Sequence, residues 1–557
     1  MKKLINEPRH LVRELLEGVT DLNPDVALLA DENVVVSRTL PEPAQRPVAI
    51  LSGGGSGHEP AHAGYVGEGM LSAAIAGDIF TSPSTDAVLA AILAVAGPAG
   101  AVLIVKNYTG DRLNFGLAAE MARQQGIPVE VVVVADDVAL RDLVPKTRRR
   151  GIAGTVLVHK LAGAAAAAGF PLARVADIAP RAAHDLGSMG VGLGACIVPA
   201  AGVPGFELGP DEIEFGLGIH GEKGVARATH RSADEIAAQL LDTIVTDLGL
   251  VSGDSVALMV NGLGGTSPME LAVMVRGALN NLRARGIRVE RAWTGNFMTA
   301  MEMPGCSLTL LKMDDERSVL LDAPCRASAW PGDGRIAEKG AIVPATPVTA
   351  TNEPVTAGPL SAKLHAVVDA VASALEAAEE KLTELDAKAG DGDLGASMAR
   401  GAAAIRALGE ASYASPSRLL TDIGNALRRA IAGSSGPFYA TALLRAAGGL
   451  RDKPTPSNQD FQQAFADAIA AISDLGGAKP GDRTMLDALQ PALNAWVASG
   501  HFADAAKAAQ AGADATADMF PALGRASYLG QRALGIPDGG AVAVAIWLKA
   551  LAGAVGK

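Results

Sequence analysis

The chain has 557 residues, 49% of them apolar and 19% charged, with a formal net charge of −12. That length exceeds one ordinary domain and calls for about two to four folded units, and the acidic balance argues against nucleic acid as a partner. Cys196, Cys306 and Cys325 are odd in number and lack metal-ligand spacing, which suits buried thiols in a reduced compartment.

In chain order, "MKKLINEPRH" has no apolar core of the kind a secretory signal needs, so a cytoplasmic protein is expected. "VAILSG", Val48 to Gly53, reads as a short buried strand followed by a glycine loop that carries His58 and His62. Such glycines let backbone approach a ligand, and a histidine beside them can move protons near neutral pH. A plain turn that needs positive φ angles accounts for the same residues. The apolar stretch after Asp86 is broken by "GPAG" and reads as helix, turn and strand, so no membrane span is expected.

From about residue 20 to 320, apolar runs alternate with alanine-rich helical segments. "AVLIVKN", "VEVVVVADD", "GTVLVHK", "GACIVPA", "SVALMVNGLGG" and "CSLTLLKM" read as strands, several of them apolar enough to be covered on both faces by helices. In such sheets ligands sit beyond the carboxyl ends of the strands. "KTRRR", Lys146 to Arg150, reads as a solvated face. The expectation is a two-lobed α/β domain over 1–330, its lobes dividing near 185.

Residues 331–359, rich in Pro, Thr, Ala and Val without a helical period, read as an extended linker. From 360 to 557 strand signals vanish, and amphipathic segments cut by Gly and Pro give an all-α domain of about eight helices. There "LDAKAGDGDLGASM" gathers Asp386, Asp391 and Asp393, with a helix expected from about Leu394. Three neighbouring carboxylates repel one another unless cations or protons compensate, and Mg²⁺ prefers such oxygen ligands together with nucleotide phosphates. An Asp-Gly turn with helix caps is the plain alternative, although Asp386 is superfluous to capping on that reading. No bidentate Glu follows twelve positions along, which disfavours a calcium loop. "AGSSGPFY", "GDRTMLDAL" (with Asp482 a competent cap) and "GIPDGGA" are further loops that suit phosphate or serve as ordinary turns. Together with the aspartates they suggest metal-assisted phosphoryl transfer without a Walker motif.

"GGGSGHEPAHAGYVG", "KNYTGDRLNFG", "GLGIHGEKG", "NGLGGTSPMEL", "GDGDLG", "GSSGPFY", "GDRTMLDAL" and "GRASYLGQR" resemble the dihydroxyacetone kinase family, in family order and over nearly the whole chain. The match is to the single-chain form, in which a dihydroxyacetone-binding domain is fused to an ATP-binding barrel of antiparallel helices. The resemblance implies free ATP as donor and Mg²⁺, two ions with the nucleotide, held by Asp386, Asp391 and Asp393. It implies that His220 binds the ketone covalently as a hemiaminal, a role that needs a neutral imidazole. A packed core histidine or a metal ligand are the alternatives that the residues alone leave open for His220. His58 and Asp111 match the pair that orients the substrate hydroxyl and takes its proton. Lys106 and the loop Gly55, Ser56, Gly57 match substrate contacts, and His62 is read as structural.

ATP contacts are implied at Asp391, Gly392, Asp393, Leu394, Gly395, Ser434, Ser435, Gly477, Thr484, Met485, Asp538, Gly539 and Gly540. At the last three the family has Asp-Pro-Gly, so this turn is expected to be looser. The resemblance also implies a homodimer in which the helical domain of one chain serves the substrate domain of the other. The rivals are a kinase for another short ketose or aldose, such as erythrulose or glyceraldehyde, and a triose-sensing coregulator. An FMN-forming lyase activity on FAD occurs among relatives, and nothing in the sequence selects for it.

Overall fold

The structure, a computed structural model, describes residues 2–345 and 357–556. Its contacts divide the chain into two units, Met1–Val343 and Pro344–Lys557. Residues 346–356 of the expected linker lie outside the described residues.

The first unit opens with α1 (Leu11–Asp21) and builds a sheet from β1 (Val26–Leu28), β2 (Val34–Ser37), β3 (Ala49–Ser56), β4 (Ala73–Ile79), β5 (Ala101–Lys106) and β6 (Val129–Val134). The order is β1-β2-β4-β3-β5-β6, with β3 parallel to both β4 and β5. The helices are α2 (Thr85–Val95), α3 (Thr109–Gln124), α4 (Thr155–Ala167) and α5 (Leu172–His184). Alternation along the strands explains their unbroken apolarity. Ile50, Val102 and Ile104 pack with residues of α4 and α5, whereas Leu51, Leu103 and Val105 pack with α2 and α3. Because β4 and β5 flank β3 on opposite sides, the chain switches direction at the carboxyl end of β3, the place where open sheets bind ligands.

A second sheet follows from β7 (Leu186–Gly192), β8 (Glu212–Phe215), β9 (Ala226–Thr229), β10 (Ser255–Gly262), β11 (Arg288–Gly295) and β12 (Gly305–Lys312). Its order is β11-β10-β12-β7-β8-β9, and only β10 and β11 are parallel. It packs on α6 (Ala233–Leu248) and α7 (Pro268–Ala284), each started by a capping box, Ser232 with Glu235 and Ser267 with Glu270. The short α8 (Asp315–Asp322) closes this unit.

Four expectations need correction. "GTVLVHK" is the start of α4, not a strand: every residue from Thr155 to Ala166 is buried, so no helical period is visible, and the alanines that follow favour helix. "GACIVPA" forms turns and one isolated bridge, Ile197 to Pro204. The glycine loop begins later than expected, because Gly53 to Ser56 are still strand. "KTRRR" is not a solvated face. Arg149 is buried and pairs with Asp247 at 2.8 Å, and Arg150 pairs with the buried Asp137 at 2.6 Å.

Residues 332–335, placed in the linker by their composition, are fastened to β11: Ala292 N–H donates to Gly334 O at 2.8 Å, and Trp293 Nε1–H to Gly332 O at 3.0 Å.

The second unit is all-helical: α9 (Ser361–Glu376), α10 (Glu379–Ala389), α11 (Leu394–Arg406), α12 (Pro416–Ala430), α13 (Ser435–Gly449), α14 (Asn458–Gly476), α15 (Leu486–Ser499), α16 (Phe502–Ala515) and α17 (Gly539–Val555). From α11 to α17 each helix packs on the next; α17 packs on α9 and α9 on α11, which closes a ring. Alanines such as Ala372, Ala402, Ala492, Ala505, Ala509 and Ala543 line its core and let the helices approach closely. The helix beyond the expected number is α10, which packs on α11 and α17 and carries Asp386. No helix among the described residues is long and apolar enough to cross a membrane. Cys196 and Cys306 are buried, Cys325 is half-buried, and none is paired.

Candidate active site

The carboxyl ends of β3, β4 and β5 bring the first set of candidates together. Gly54 has φ +150°, and a Cβ there would stand 2.2 Å from Lys106 Nζ and 3.3 Å from Asp111 Oδ2. Gly57 has φ +100°, and a Cβ would meet the Phe80 ring at 2.8 Å. Close approach and backbone conformation thus both demand glycine in this loop. Phe80 and Met301, which support it, adopt left-handed backbone themselves (φ 57° each), a strain typical of functional sites. Gly55 and Ser56 are buried at the end of β3, with Ser56 Oγ donating to Gly77 O at 2.7 Å.

His58 has no exposed surface. Its Nδ1 lies 2.8 Å from Thr299 O, which can only accept, so the proton sits on Nδ1. Nε2 is then a buried lone pair with no partner among the described residues. Burial first, then the charges of His220 and Lys106, push its pKa well below 6.5. Asn261 sets the Thr299 segment: its side chain accepts from Phe297 and Met298 N–H at 2.8 and 2.9 Å and donates to Met298 O at 2.8 Å. That gives the "NGLGGTSPMEL" motif a supporting role.

His220 comes from the second sheet, in the hairpin between β8 and β9, and its ring centroid lies 4.9 Å from that of His58. Tyr108 and Phe80 meet it edge-on at 4.7 and 5.2 Å. Its Nδ1 lies 2.9 Å from Glu222 Oε1, and its backbone N–H donates to Oε2 of the same carboxylate at 2.9 Å. Although burial works the other way, the hydrogen bonds from the ring and from the backbone hold Glu222 down at about 2. A carboxylate on Nδ1 leaves Nε2 with the lone pair. Arg150 braces the hairpin, donating to Gly216 O at 2.7 Å while paired to Asp137. Lys106 and Asp111 complete the group; both are buried, with Nζ 3.9 Å from Oδ2.

A cavity of about 500 Å³ opens beside this group, between α1 and the segment from Glu59 to Gly64. Gly54, Gly55, Ser56 and His62 line it, but His58, Lys106, Asp111 and His220 do not. Its walls are mostly apolar and it lacks the chemistry described above, so the site is defined by the reactive side chains and not by this void.

The second set lies in the helical unit. Asp386, Asp391 and Asp393 each offer a carboxylate oxygen, and these lie within 4.8 Å of one another. Among the described residues this is the one group of three or more His, Cys, Asp or Glu side chains so arranged, and His220 belongs to no such group. Asp386 is not superfluous to capping: its Oδ2 accepts from Asp393 and Leu394 N–H at 2.9 and 3.3 Å, whereas Asp393, the formal cap of α11, makes no side-chain cap bond. Gly392 has φ 79°, and Gly395 is buried against Glu379 O and Thr383. Hard oxygen donors on an exposed loop beside a helix N-terminus fit Mg²⁺ with a phosphate-bearing partner.

Ser434 and Ser435 start α13 without capping it through their side chains, so their hydroxyls are uncommitted to the helix end. Gly477 is the left-handed C-cap of α14. Thr484 and Met485 precede α15, and Asp487, not Asp482, organises them by accepting from Gly481 and Thr484 N–H. Asp538 caps α17, its Oδ1 accepting from Ala541 N–H at 2.8 Å, and its own N–H donates to Thr516 Oγ1 at 2.8 Å. The turn through Gly539 and Gly540 is therefore fixed by a cap without a proline. Arg483, buried with φ 62°, donates to Thr516, Ala533 and Ile536 carbonyls and so ties the segment before Asp538 to the Thr484 loop.

Comparison with known proteins decides the family. A Dak1 domain model matches residues 17–329 and a DAK2 domain model matches residues 388–553. The chain belongs to the dihydroxyacetone kinase family. It is 44% identical to a human protein named triokinase/FMN cyclase, covering 99% of this chain and 98% of that one. It is 38% identical to the dihydroxyacetone kinase of Citrobacter freundii, over 98% of each. A crystal structure of the C. freundii enzyme in complex with AMP-PNP and Mg²⁺ matches with TM-score 0.66 and 36% identity, covering 99% of both chains. The α/β unit with two sheets and the all-helical unit are those of that enzyme.

Sequence reasoning missed Glu222, Thr299, Asn261 and Arg150, which touch the candidate histidines or brace their loops. Glu222 stands in the quoted "GLGIHGEKG" motif, two residues from His220, and a carboxylate so close to a candidate histidine was the available signal. Thr299 is 241 residues from His58, and no local pattern announces it.

Proposed function

We propose that the chain transfers the γ-phosphoryl group of ATP to dihydroxyacetone, giving dihydroxyacetone phosphate and ADP. The observation that carries this reading is the pairing of two histidines with complementary commitments. His220 is fixed through Nδ1 by Glu222, and beside it His58 keeps an unpartnered Nε2.

His220 Nε2 attacks the ketone carbon; the C–N bond forms as the C=O π pair moves to oxygen, the alkylated ring releases its Nδ1 proton toward the Glu222 carboxylate, and the oxygen takes up one proton from solvent, giving a neutral hemiaminal. Held this way, the triose presents a terminal hydroxyl near His58 and Asp111. The His58 lone pair takes the hydroxyl proton as phosphate is transferred. Lys106 donates toward the substrate oxygens. Collapse of the hemiaminal frees the product and restores His220. Glycerol has no carbonyl and cannot be captured.

Asp386, Asp391 and Asp393 would hold magnesium, with the loops at Gly392–Gly395, Ser434–Ser435, Gly477, Thr484–Met485 and Asp538–Gly540 around the nucleotide. Bound there, magnesium neutralises phosphate charge and helps to align the leaving group. Transfer requires the two sets of residues to meet, and exchange of helical units within a homodimer is the arrangement we favour. Presence of both matched domains supports a kinase over a coregulator that only senses trioses. Purified protein tested with dihydroxyacetone, glyceraldehyde, erythrulose and glycerol decides the substrate. Dihydroxyacetone should give the highest kcat/KM and glycerol no turnover; preference for glycerol would overturn covalent capture.

A further inference from the structure

Lys106 ends β5 with no exposed surface. Its Nζ donates to Gly53 O at 3.0 Å, stands 2.9 Å from His62 Nε2, and faces Asp111 Oδ2 at 3.9 Å. An ammonium is a rotor with three hydrogens and no fixed fork, so its aim is set by the acceptors around it. Gly53 O takes one hydrogen. If His62 takes the second, the third is turned toward Asp111 and the space the triose enters. An apolar side chain at position 62 would leave a buried N–H of a charged group unpaired and the rotor held at a single point.

We propose that His62 is a positioning residue of the triose site, a neutral acceptor whose Nε2 fixes the direction of the Lys106 ammonium. The proposal rests on the reading above that Lys106 contacts substrate. His62 is 6% exposed and meets the ring of His159 edge-on at 5.2 Å. The groups that face Lys106 are Asp111 on α3, His58 and His62 after β3, and His159 on α4. Burial, then Lys106 and the two other histidines, push His62 well below 6.5, and burial with Lys106 takes His159 to about 3. Both therefore stay neutral through the physiological range, and His62 remains an acceptor. Burial lowers Lys106 itself, with Asp111 opposing.

The test compares His62→Leu, His62→Gln and Lys106→Met in the full chain, with thermal unfolding to confirm the fold. For His62→Leu, kcat/KM for dihydroxyacetone should fall on the order of 10- to 100-fold. KM for ATP should hold, and the alkaline limb of the profile should move to lower pH, because the charged form of Lys106 has lost an acceptor. His62→Gln, whose amide oxygen can accept in place of Nε2, should recover most of the activity and the limb. Should the Leu variant fail to fold, His62→Asn, polar but too short to reach Nζ, takes its place. Added to Lys106→Met, His62→Leu should cost nothing further.

Wild-type kinetics in His62→Leu, with Lys106→Met impaired, would overturn the role of His62 alone. Equal losses in the Leu and Gln variants with an unmoved alkaline limb would reduce His62 to packing. A silent Lys106→Met would remove both the triose-site reading and this proposal.

Discussion

One carboxylate of Glu222 grips His220 twice, at ring Nδ1 through Oε1 and at the backbone N–H through Oε2, both at 2.9 Å. The double contact fixes the tautomer and the plane of the imidazole together, which is what a nucleophilic Nε2 requires. Replacing Glu222 by Gln presents an amide whose NH₂ can donate to Nδ1 and favour the wrong tautomer. We expect a loss of kcat/KM of about 100-fold or more, by analogy with the histidine-orienting carboxylate of serine proteases. Intact-protein mass after adding dihydroxyacetone should show a correspondingly reduced adduct. A full adduct with normal turnover would reduce Glu222 to a structural contact.

Asp391→Asn and Asp393→Asn should each abolish ATP turnover and leave capture of the triose intact. Both carboxylates lie in the helical unit, apart from the residues assigned to the ketone, and each removes a charge from the proposed magnesium site. Losing a metal anchor typically removes several kcal/mol of transition-state stabilisation. Unchanged turnover would exclude the trio from the reaction.

Much of the parallel sheet was legible, because β3, β5 and β6 are short apolar runs bounded by turn residues. The same rule failed at α4, where burial on every side erased the helical period, and at the glycine-rich β7, where glycines interrupt Leu186, Met189 and Val191 and leave no continuous apolar run. The start of α11 at Leu394 was visible from its aspartates and glycines, but the capping done by Asp386 was not, since it depends on α10 returning beside α11. For the site, motifs marked most of the reactive side chains. What they did not reveal was long-range support, such as Thr299 on His58, or the ion pairs of Arg149 with the distant Asp247 and of Arg150 with the buried Asp137.

Asp538 supplies a stability test. Burial, more than any other effect, raises its pKa to about 6, well above the usual carboxylate value. Between the unfolded value and about 6 the folded state holds a proton that the unfolded state has released. The stabilisation is therefore complete below the unfolded pKa and lost as pH rises through 6. Asp538→Asn, which can still cap α17, should remove this dependence and stabilise the nucleotide-free helical unit at pH 7 by on the order of 2 kcal/mol. Melting curves from pH 5 to 7.5 check it (~2.5 units spanning the titration); a parallel shift of mutant and wild type across that range would contradict the assignment.

Exchange of helical units between chains can be tested by complementation. A His220→Ala chain and an Asp391→Asn chain are co-expressed and the mixed dimer purified. If substrate and nucleotide residues from different chains work together, one of its two sites is whole, and roughly half the wild-type activity per dimer should return. An inactive mixed dimer would place both sets in the same chain.

The central claim is that a ketone held on His220 receives phosphate from ATP. It is tested most directly by following ATP and the mass of the intact protein together as dihydroxyacetone is added, for the wild type and for His220→Ala. The account predicts that the wild type gains the mass of one triose per chain, and that ATP is consumed only when the ketone is present, with one dihydroxyacetone phosphate formed per ADP. The variant should fold normally, gain no mass and lose most of its kcat/KM. Wild-type kinetics in His220→Ala, or ATP consumption that ignores the ketone, would contradict it.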